Sequence, residues 1–425
     1  MTATLGVAPA SLATELRCDE HGHRVSLERP ATVCPRCGSL LEISYDLDRA
    51  PADLFERATR ERALGMWRWR ALLPLPAGAD PVSLGEGDTP LLSVPDLGRR
   101  LGLGRLWLKN DALMPTGSFK DRGFALAVSM ARHYGLTRGF TYSSGNAGAS
   151  FAAYAARAGL RATVFVEWLA NETKVAAISL YGARVFRLHY NSSAQIFAAL
   201  DELARQGEYS FVNFVNPVRH EAMKTYAYEI VEQLGGAVPD VMVHPVGTGG
   251  GLWGAWKGFG ELRALGVIDR VPRMIGVQPA VCAPIVDAFE HGRAESRTVG
   301  DASATMAQSI AGDSMIHGGR RLLRAMRESG GGAIGVSEDD LAEAIRLLGT
   351  EAVAAEPSAA ASLAGLLHAR ERGLIDPGES VVAVVTGSAL KQPGVLAKVA
   401  PAPVGEVRAD AAEWLAALAG SAAGG

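Results

Sequence analysis

Between about residue 139 and residue 387 the chain alternates short β-type runs with helical stretches, and this alternation restricts its fold more than any other feature. "GFTYSS" (139–144) precedes "FAAYAARAGL", and "RATVFVE" (161–167) precedes "TKVAAISLYG". "ARVFRLHY", the helical "SAQIFAALDELARQG" and "YSFVNF" (209–214) complete a first series. A second series contains "DVMVHPV" (240–246), "RMIGVQ" (273–278) and "SVVAVVTG" (380–387), again with helices between. Strands spaced by helices of this length form parallel sheets through βαβ crossovers. Two series predict two α/β lobes, and ligands of open α/β sheets bind beyond the carboxyl ends of the strands. No repeat at a solenoid period is present.

At 425 residues, 48% of them hydrophobic, the chain is long enough for more than one core. Its 42 basic and 45 acidic residues nearly cancel, which leaves no electrostatic basis for binding nucleic acid or an anionic membrane. No apolar run approaches the length of a transmembrane helix. The opening "MTATLGVAPASLATELRCDEHG" lacks the basic-then-apolar order of a secretory signal. A soluble cytoplasmic protein is the expectation. The predicted organisation is an N-terminal unit over 1–50, a large α/β lobe from 51–110 and 221–400, a small α/β lobe over 111–220, and a tail over 401–425. One short helix is expected in that tail, at about 408–419.

Three of the four cysteines fall in the N-terminal unit. Cys18-x-x-His21 and Cys34-x-x-Cys37 form two ligand pairs, the second inside "CPRCG" with the Pro and Gly of a zinc knuckle. Four soft ligands in two tight turns suit a tetrahedral structural zinc ion, with His23 competing against His21 for the fourth place. A ribbon that folds without metal is the alternative. Cys282, in the apolar "PAVCAPIV", reads as a buried small hydrophobe.

Three loops carry candidate chemistry. In "HPVGTGGGLWGAWKGF" (244–259) an apolar strand runs into Gly247-Thr248-Gly249-Gly250-Gly251 and then a helix. Glycines let backbone N–H groups converge, and the helix N-terminus adds partial positive charge, so the loop suits a phosphate. It has neither the Gly-Lys-Ser/Thr ending of a Walker loop nor a dinucleotide fingerprint. In "YSSGNAGAS" (142–150), Asn146 is placed to offer its amide to a ring oxygen, although capping a helix is an equally ordinary task for Ser143, Ser144 or Asn146. In "PTGSFKDRG" (115–123), Lys120 stands in a tight turn at a helix start. A lysine becomes nucleophilic when burial or a neighbouring cation lowers its pKa. Held rigidly beside a phosphate cradle, its common use is a Schiff base with pyridoxal 5′-phosphate.

Together, "PTGSFKDRG", "SSGN", "GTGGG" and "VVTGSALK" resemble the fold-type-II (tryptophan synthase β-like) pyridoxal-phosphate enzymes, and most closely the threonine synthases. "LGEGDTPL" (84–91), "NFVNPVRHEAMKTYAYEI" (213–230), "VPRMIGVQPAVCAPIV" (271–286) and "EPSAAASLAGL" (356–366) extend the resemblance over roughly residues 80–400. The N-terminal Cys/His unit also precedes some threonine synthases. The resemblance implies that Lys120 holds the cofactor and shuttles protons, and that Asn146 bonds the cofactor's 3′-oxygen. It makes Gly247, Thr248, Gly249, Gly250 and Gly251 the cofactor-phosphate cradle and sets the Thr386 hydroxyl against the pyridine nitrogen. It assigns Ser143, Asn213 and Arg219 to the substrate, Arg219 being suited to a phosphate through its forked guanidinium. The implied partner is a phosphorylated amino acid, and a homodimer is the common assembly of such enzymes.

Several positions depart from the threonine synthase pattern. Ala147 replaces a Thr, Phe214 a Ser, and Gly-Thr-Gly-Gly-Gly the usual Gly-Asn-Ala-Gly-Asn. "TGSALK", with Ser388, stands for Thr-Gly-His-Gly-Leu-Lys, and "AQSIAGDSMIHGG" (307–319) lacks an Ile-Gly-x-Pro run. Cofactor positions are kept and substrate positions altered. The expected activity is conversion of O-phospho-L-homoserine and water to L-threonine and phosphate. The alternative is a paralogue that performs β-elimination or β-replacement, in the manner of a threonine dehydratase, a cysteate synthase or a diaminopropionate ammonia-lyase.

Overall fold

The computed structural model describes residues 10–143, 145–168, 170–189, 193–206, 208–212 and 215–420. Twelve strands occur among them. They are β1 (Ala13–Cys18), β2 (Arg24–Val25), β3 (Leu41–Tyr45), β4 (Leu91–Ser93), β5 (Arg105–Asn110), β6 (Arg138–Tyr142), β7 (Arg161–Glu167), β8 (Arg184–Leu188), β9 (Val241–Pro245), β10 (Arg273–Pro279), β11 (Gly332–Val336) and β12 (Ser380–Val385). They form an antiparallel sheet in the order β2-β1-β3, a six-stranded sheet in the order β11-β10-β9-β12-β5-β4, and a parallel sheet in the order β6-β7-β8. Within the six-stranded sheet only β4 runs antiparallel to its neighbour.

The central strands of the large sheet are apolar throughout because helices cover both faces. Every residue of β9 and β12 is buried. Along β9, Val241 and Val243 join the core beneath the helix Pro357–Glu371, while Met242 joins the core beneath the helix Gly250–Ala264. The small sheet is one-sided by comparison, and β7 alternates buried with more exposed positions.

Segment 209–214, expected as a strand, is not one in its described part, and Asn213 and Phe214 lie outside the described residues. It makes a single parallel bridge, Phe140 to Ser210. The next acceptor facing β6, Phe211 O, is taken by the Arg219 guanidinium at 2.8 Å. The Asn216 side chain, donating to Ser210 O at 2.9 Å, turns the chain toward the helix Pro217–Met223. Sequence periodicity also passed over β4 and β11, which are three and five residues long. The tail helix spans Ala411–Gly420 and leaves Trp414 and Leu418 exposed.

Two buried ionic clusters set the helices around the sheets. Arg122, on the helix Lys120–His133, makes paired bonds to Asp111 (2.8 and 3.0 Å) and to Glu229 (2.6 and 2.8 Å). Lys109 of β5 adds a contact of 2.7 Å to Glu229, and the side chains of Lys109, Arg122, Asp111 and Glu229 are fully buried. Burial pushes the Glu229 carboxyl up, but the Arg122 and Lys109 charges outweigh it and hold the group well below the usual carboxylate range. In the second cluster, Lys224 meets Glu221 at 2.8 Å and Glu261 at 2.9 Å, and Lys257 meets Glu221 at 2.7 Å. Each cluster balances two cations against two carboxylates, the condition for tolerating charge in a low-dielectric interior.

Glu229→Gln leaves Arg122 and Lys109 with Asp111 as their one remaining carboxylate, and it is expected to cost about 3–5 kcal/mol of stability. A urea unfolding midpoint measures the loss. Because folding depresses the Glu229 pKa, the wild-type advantage is present above about pH 4.5 and fades as the pH falls below it.

Candidate active site

The turn before Lys120 is held from several directions. Gly117 takes φ +74°, a conformation that favours glycine, and its N–H bonds Met114 O at 2.7 Å. The Phe119 N–H donates to Thr386 O at 2.9 Å and the Ser388 N–H to Gly117 O at 3.0 Å. Ser118 and Gly387 form an antiparallel bridge. Lys391 Nζ donates to Thr116 O at 2.6 Å. From the other side, Asp121 accepts from Thr116 N–H (2.7 Å), the Thr116 hydroxyl (2.6 Å) and the Ser150 hydroxyl (2.6 Å). Ser150 lies on the helix that Asn146 begins, so one buried carboxylate joins the lysine turn to the "SSGN" loop.

Lys120 is the first residue of its helix, and its Nζ lies 4.0 Å from the centroid of the Phe119 ring. Burial first, and then the Arg219 guanidinium, lowers its pKa to about 7 against a partial opposing effect of Glu356. Burial likewise raises Asp121 to about 6 against its three hydrogen bonds. Lys120 therefore holds a substantial neutral-amine fraction at physiological pH, the form that attacks a carbonyl or accepts a proton.

The Gly247–Gly251 loop joins the end of β9 to the helix Gly250–Ala264. Gly249 has φ +86°, and a methyl placed there would lie 2.2 Å from Leu322 Cδ1. A methyl on Gly251 would lie 2.4 Å from the His244 ring. No side chain caps this helix, so its first N–H groups face the loop without a protein acceptor from the cap residue. The loop, Lys120, Asn146, Ser309, Glu356 and Thr386 line one narrow cavity. It opens where β9 and β12 end, in the place that an open α/β sheet reserves for a ligand.

Asn146 and Thr386 are both buried in that wall. Asn146 Nδ2 donates to Glu356 Oε1 at 2.5 Å, while its Oδ1 is buried without a partner. Ser143 is in the same loop, but its hydroxyl accepts from Gly145 N–H at 3.3 Å, a local turn contact. Arg219 lies on the helix Pro217–Met223 with its guanidinium 3.9 Å from the Phe124 ring centroid, and it donates to Phe211 O at 2.8 Å. Its Nε is buried without a partner, and among the described residues no carboxylate pairs with it. Burial lowers its pKa to about 9. Asn213 lies outside the described residues.

Two wall residues, Glu356 and Ser309, and the lysine that contacts both carry no signal in the sequence motifs. Glu356, which precedes the helix Pro357–Glu371, pairs at 3.3 Å with Lys174, which also donates to Ser309 at 2.9 Å. Glu356 is visible in sequence only as an acid before a Pro-led helix, and Lys174 only as a lysine on an otherwise apolar helical stretch.

At the N-terminus, ligand atoms of Cys18, His21, Cys34 and Cys37 all lie within 4.8 Å of one another. Cys18 Sγ is 3.6 Å from Cys37 Sγ and 3.7 Å from His21 Nε2, and Cys34 Sγ is 3.8 Å from His21 Nε2. A tetrahedron with metal–sulfur bonds of about 2.3 Å has edges of about 3.8 Å, so the donor set fits such an ion. His21, rather than His23, joins the three thiols. Cys282 is fully buried.

Residues 82–387 match the model of the family described as pyridoxal-phosphate dependent enzyme. The threonine synthase of Methanocaldococcus jannaschii is 36% identical over 390 residues, covering 91% of this chain and 95% of its own. The threonine synthase of Mycobacterium tuberculosis is 39% identical over 343 residues, covering 78% and 91%. Among solved structures, a threonine deaminase from T.th. superposes with a TM-score of 0.60 at 27% identity, covering 71% of this chain and 92% of that one. Maize serine racemase, at 18% identity and a TM-score of 0.62 over 82% of this chain and 96% of its own, shares the fold. Membership is carried by the match over residues 82–387 and by relatives that align along most of the chain: this protein belongs to the pyridoxal-phosphate dependent enzymes and is threonine-synthase-like within them.

Proposed function

We propose that the protein is a lyase that converts O-phospho-L-homoserine and water to L-threonine and inorganic phosphate. The observation that carries this reading is Arg219, a buried guanidinium with an orphaned Nε and no carboxylate partner among the described residues, close enough to Lys120 to depress its pKa. Both ionic clusters elsewhere in the interior are balanced, and Arg70, also buried without a carboxylate among the described residues, is engaged by three carbonyl oxygens. Arg219, not so engaged and close to Lys120, suits an anion from the substrate.

The wall residues suit pyridoxal phosphate. Uncapped N–H groups at the Gly247–Gly251 loop would take its phosphate, the Asn146 amide its ring oxygen, and the Thr386 hydroxyl the neighbourhood of its ring nitrogen. When bound, the group supplies an aldehyde that couples to amines and a conjugated ring that accepts the electron pair left at the substrate's α-carbon. Thr386, unlike a carboxylate, imposes no proton on that nitrogen. Lys120, neutral near pH 7, removes the α-proton and then moves a proton at the β-carbon, base and acid in turn. Arg219 holds the phosphate until the γ-carbon–oxygen bond breaks, after which water adds at the β-carbon.

A second reading, β-elimination or β-replacement on a different amino acid, is favoured by Ala147. It is buried in an apolar core cluster and offers no hydroxyl to a substrate phosphate. In the N-terminal unit the three thiols and His21 would hold a structural zinc ion, since four protein donors leave no open position for chemistry.

Purified protein supplied with phosphohomoserine is expected to release threonine and phosphate in equal amounts. Turnover of phosphoserine or another β-substituted amino acid, with none of phosphohomoserine, would establish the second reading instead. Arg219→Gln is expected to raise KM for phosphohomoserine about 30- to 100-fold, the equivalent of charged hydrogen bonds worth ~2–3 kcal/mol.

Lys120 is expected to react with an amine-directed reagent in cofactor-free protein with a midpoint near pH 7, following its lowered pKa of about 7. Ordinary surface lysines respond about three units higher. Peptide mapping across a pH series reads the difference. Elemental analysis is expected to find one zinc per chain, lost in the Cys37→Ser variant.

A further inference from the structure

The N-terminal unit grips the helix Gly250–Ala264 in two places, and that helix begins at the loop proposed to hold the cofactor phosphate. The first grip starts at Asp19, next to Cys18. Its carboxylate takes two bonds from Arg321, at 2.5 Å from Nε and 2.8 Å from Nη2. Arg321 is 3% exposed at its side chain, so this pair is far better shielded from water than an ordinary surface ion pair. It lies in the first turn of the helix Arg320–Glu328, with its guanidinium carbon 5.4 Å from the Trp253 ring centroid.

The next residue, Leu322, is fully buried and seated on Gly249, so closely that a methyl on that glycine would lie 2.2 Å from its Cδ1. Trp253 in turn donates its backbone N–H to Gly249 O at 3.0 Å. Arg321 thus adjoins one residue whose side chain meets Gly249 of the loop, and stacks on another whose backbone does. The second grip lies farther along the same helix, where Lys257 Nζ donates to Ile43 O of β3 at 2.5 Å and meets Glu42 at 3.4 Å.

We propose that Arg321 and Leu322 are positioning residues for the Gly247–Gly251 loop, and that Asp19 sets them in place. The N-terminal unit thereby tunes how firmly the protein holds the phosphate of its cofactor without touching it. This rests on the reading of that loop as the phosphate cradle. A loop whose N–H groups must converge on one anion is sensitive to small shifts, because each hydrogen bond weakens steeply with misalignment. Freeing Arg321 releases Leu322 from its seat over Gly249, whose φ of +86° is the conformational pivot of the loop.

The test compares binding of pyridoxal phosphate with binding of pyridoxal, which lacks the phosphate, to full-length cofactor-free protein by fluorescence titration. Asp19→Asn keeps the side-chain shape and removes the charge, while Arg321→Lys keeps the charge and removes the paired geometry without altering the N-terminal unit. Each is expected to weaken pyridoxal phosphate three- to tenfold while leaving pyridoxal unchanged, and the double variant is expected to be no worse than either single one. Arg57→Gln, which removes an exposed pair with Asp53, serves as the control and is expected to change neither.

If wild-type protein prefers the phosphorylated form and both variants keep that preference, the coupling is wrong while the cradle reading stands. Equal losses for both ligands would also overturn the coupling, since they report general loosening. A wild-type protein with no preference for the phosphate would overturn the cradle reading and this proposal together.

Discussion

The site depends on holding one lysine amine half-buried, beside a second cation and with no acid bonded to it among the described residues. Lys120 is enclosed beside the Phe119 ring with Arg219 close by, and the result is an amine with a pKa of about 7. Burying such a group is unfavourable unless the surrounding backbone allows it no other place. That restraint comes from the turn itself, which is bonded to the Thr386 loop on one side and through Asp121 to Thr116 and Ser150 on the other. The position of the lysine is a property of three converging loops rather than of its own side chain.

The same economy of charge runs through the interior. Arg122 and Lys109 are matched by Asp111 and Glu229, and Lys224 and Lys257 by Glu221 and Glu261. Lys174 is matched by Glu356 of the cavity wall. Arg219 stands outside this pattern, stacked on Phe124 and bonded to one carbonyl oxygen. Arg70 is also buried without a carboxylate among the described residues, but it is engaged by the carbonyl oxygens of Pro76, Ala77 and Ala79. Arg219, in contrast, bonds one carbonyl and lies near the Lys120 amine.

Much of this was legible in the sequence because the relevant loops are written in local chemistry. Glycines at a strand-to-helix junction mark the Gly247–Gly251 loop, and a Pro-Thr-Gly-Ser turn marks Lys120. The spacing of the Cys/His pairs predicted a compact donor cluster, and the Gly22 N–H bond to Cys18 O makes the turn that brings His21, not His23, to the thiols. Glu356, Lys174 and Ser309 were not legible, since they meet only when segments 135 to 182 positions apart fold together. The missing partner of Arg219 is equally invisible, because sequence lists charges without showing which of them touch. Segment 209–214 departs from a strand because β-type composition does not reveal that a side chain, Arg219, takes the next ladder acceptor, Phe211 O.

The central claim is that Lys120 is the amine that bears the cofactor, and borohydride reduction of the cofactor-loaded protein followed by peptide mapping tests it most directly. One pyridoxyl group per chain is expected, on the peptide containing Lys120. Attachment at Lys174 or Lys391, the other lysines near the lysine turn and the cavity wall, or the absence of any reduced adduct, would contradict it.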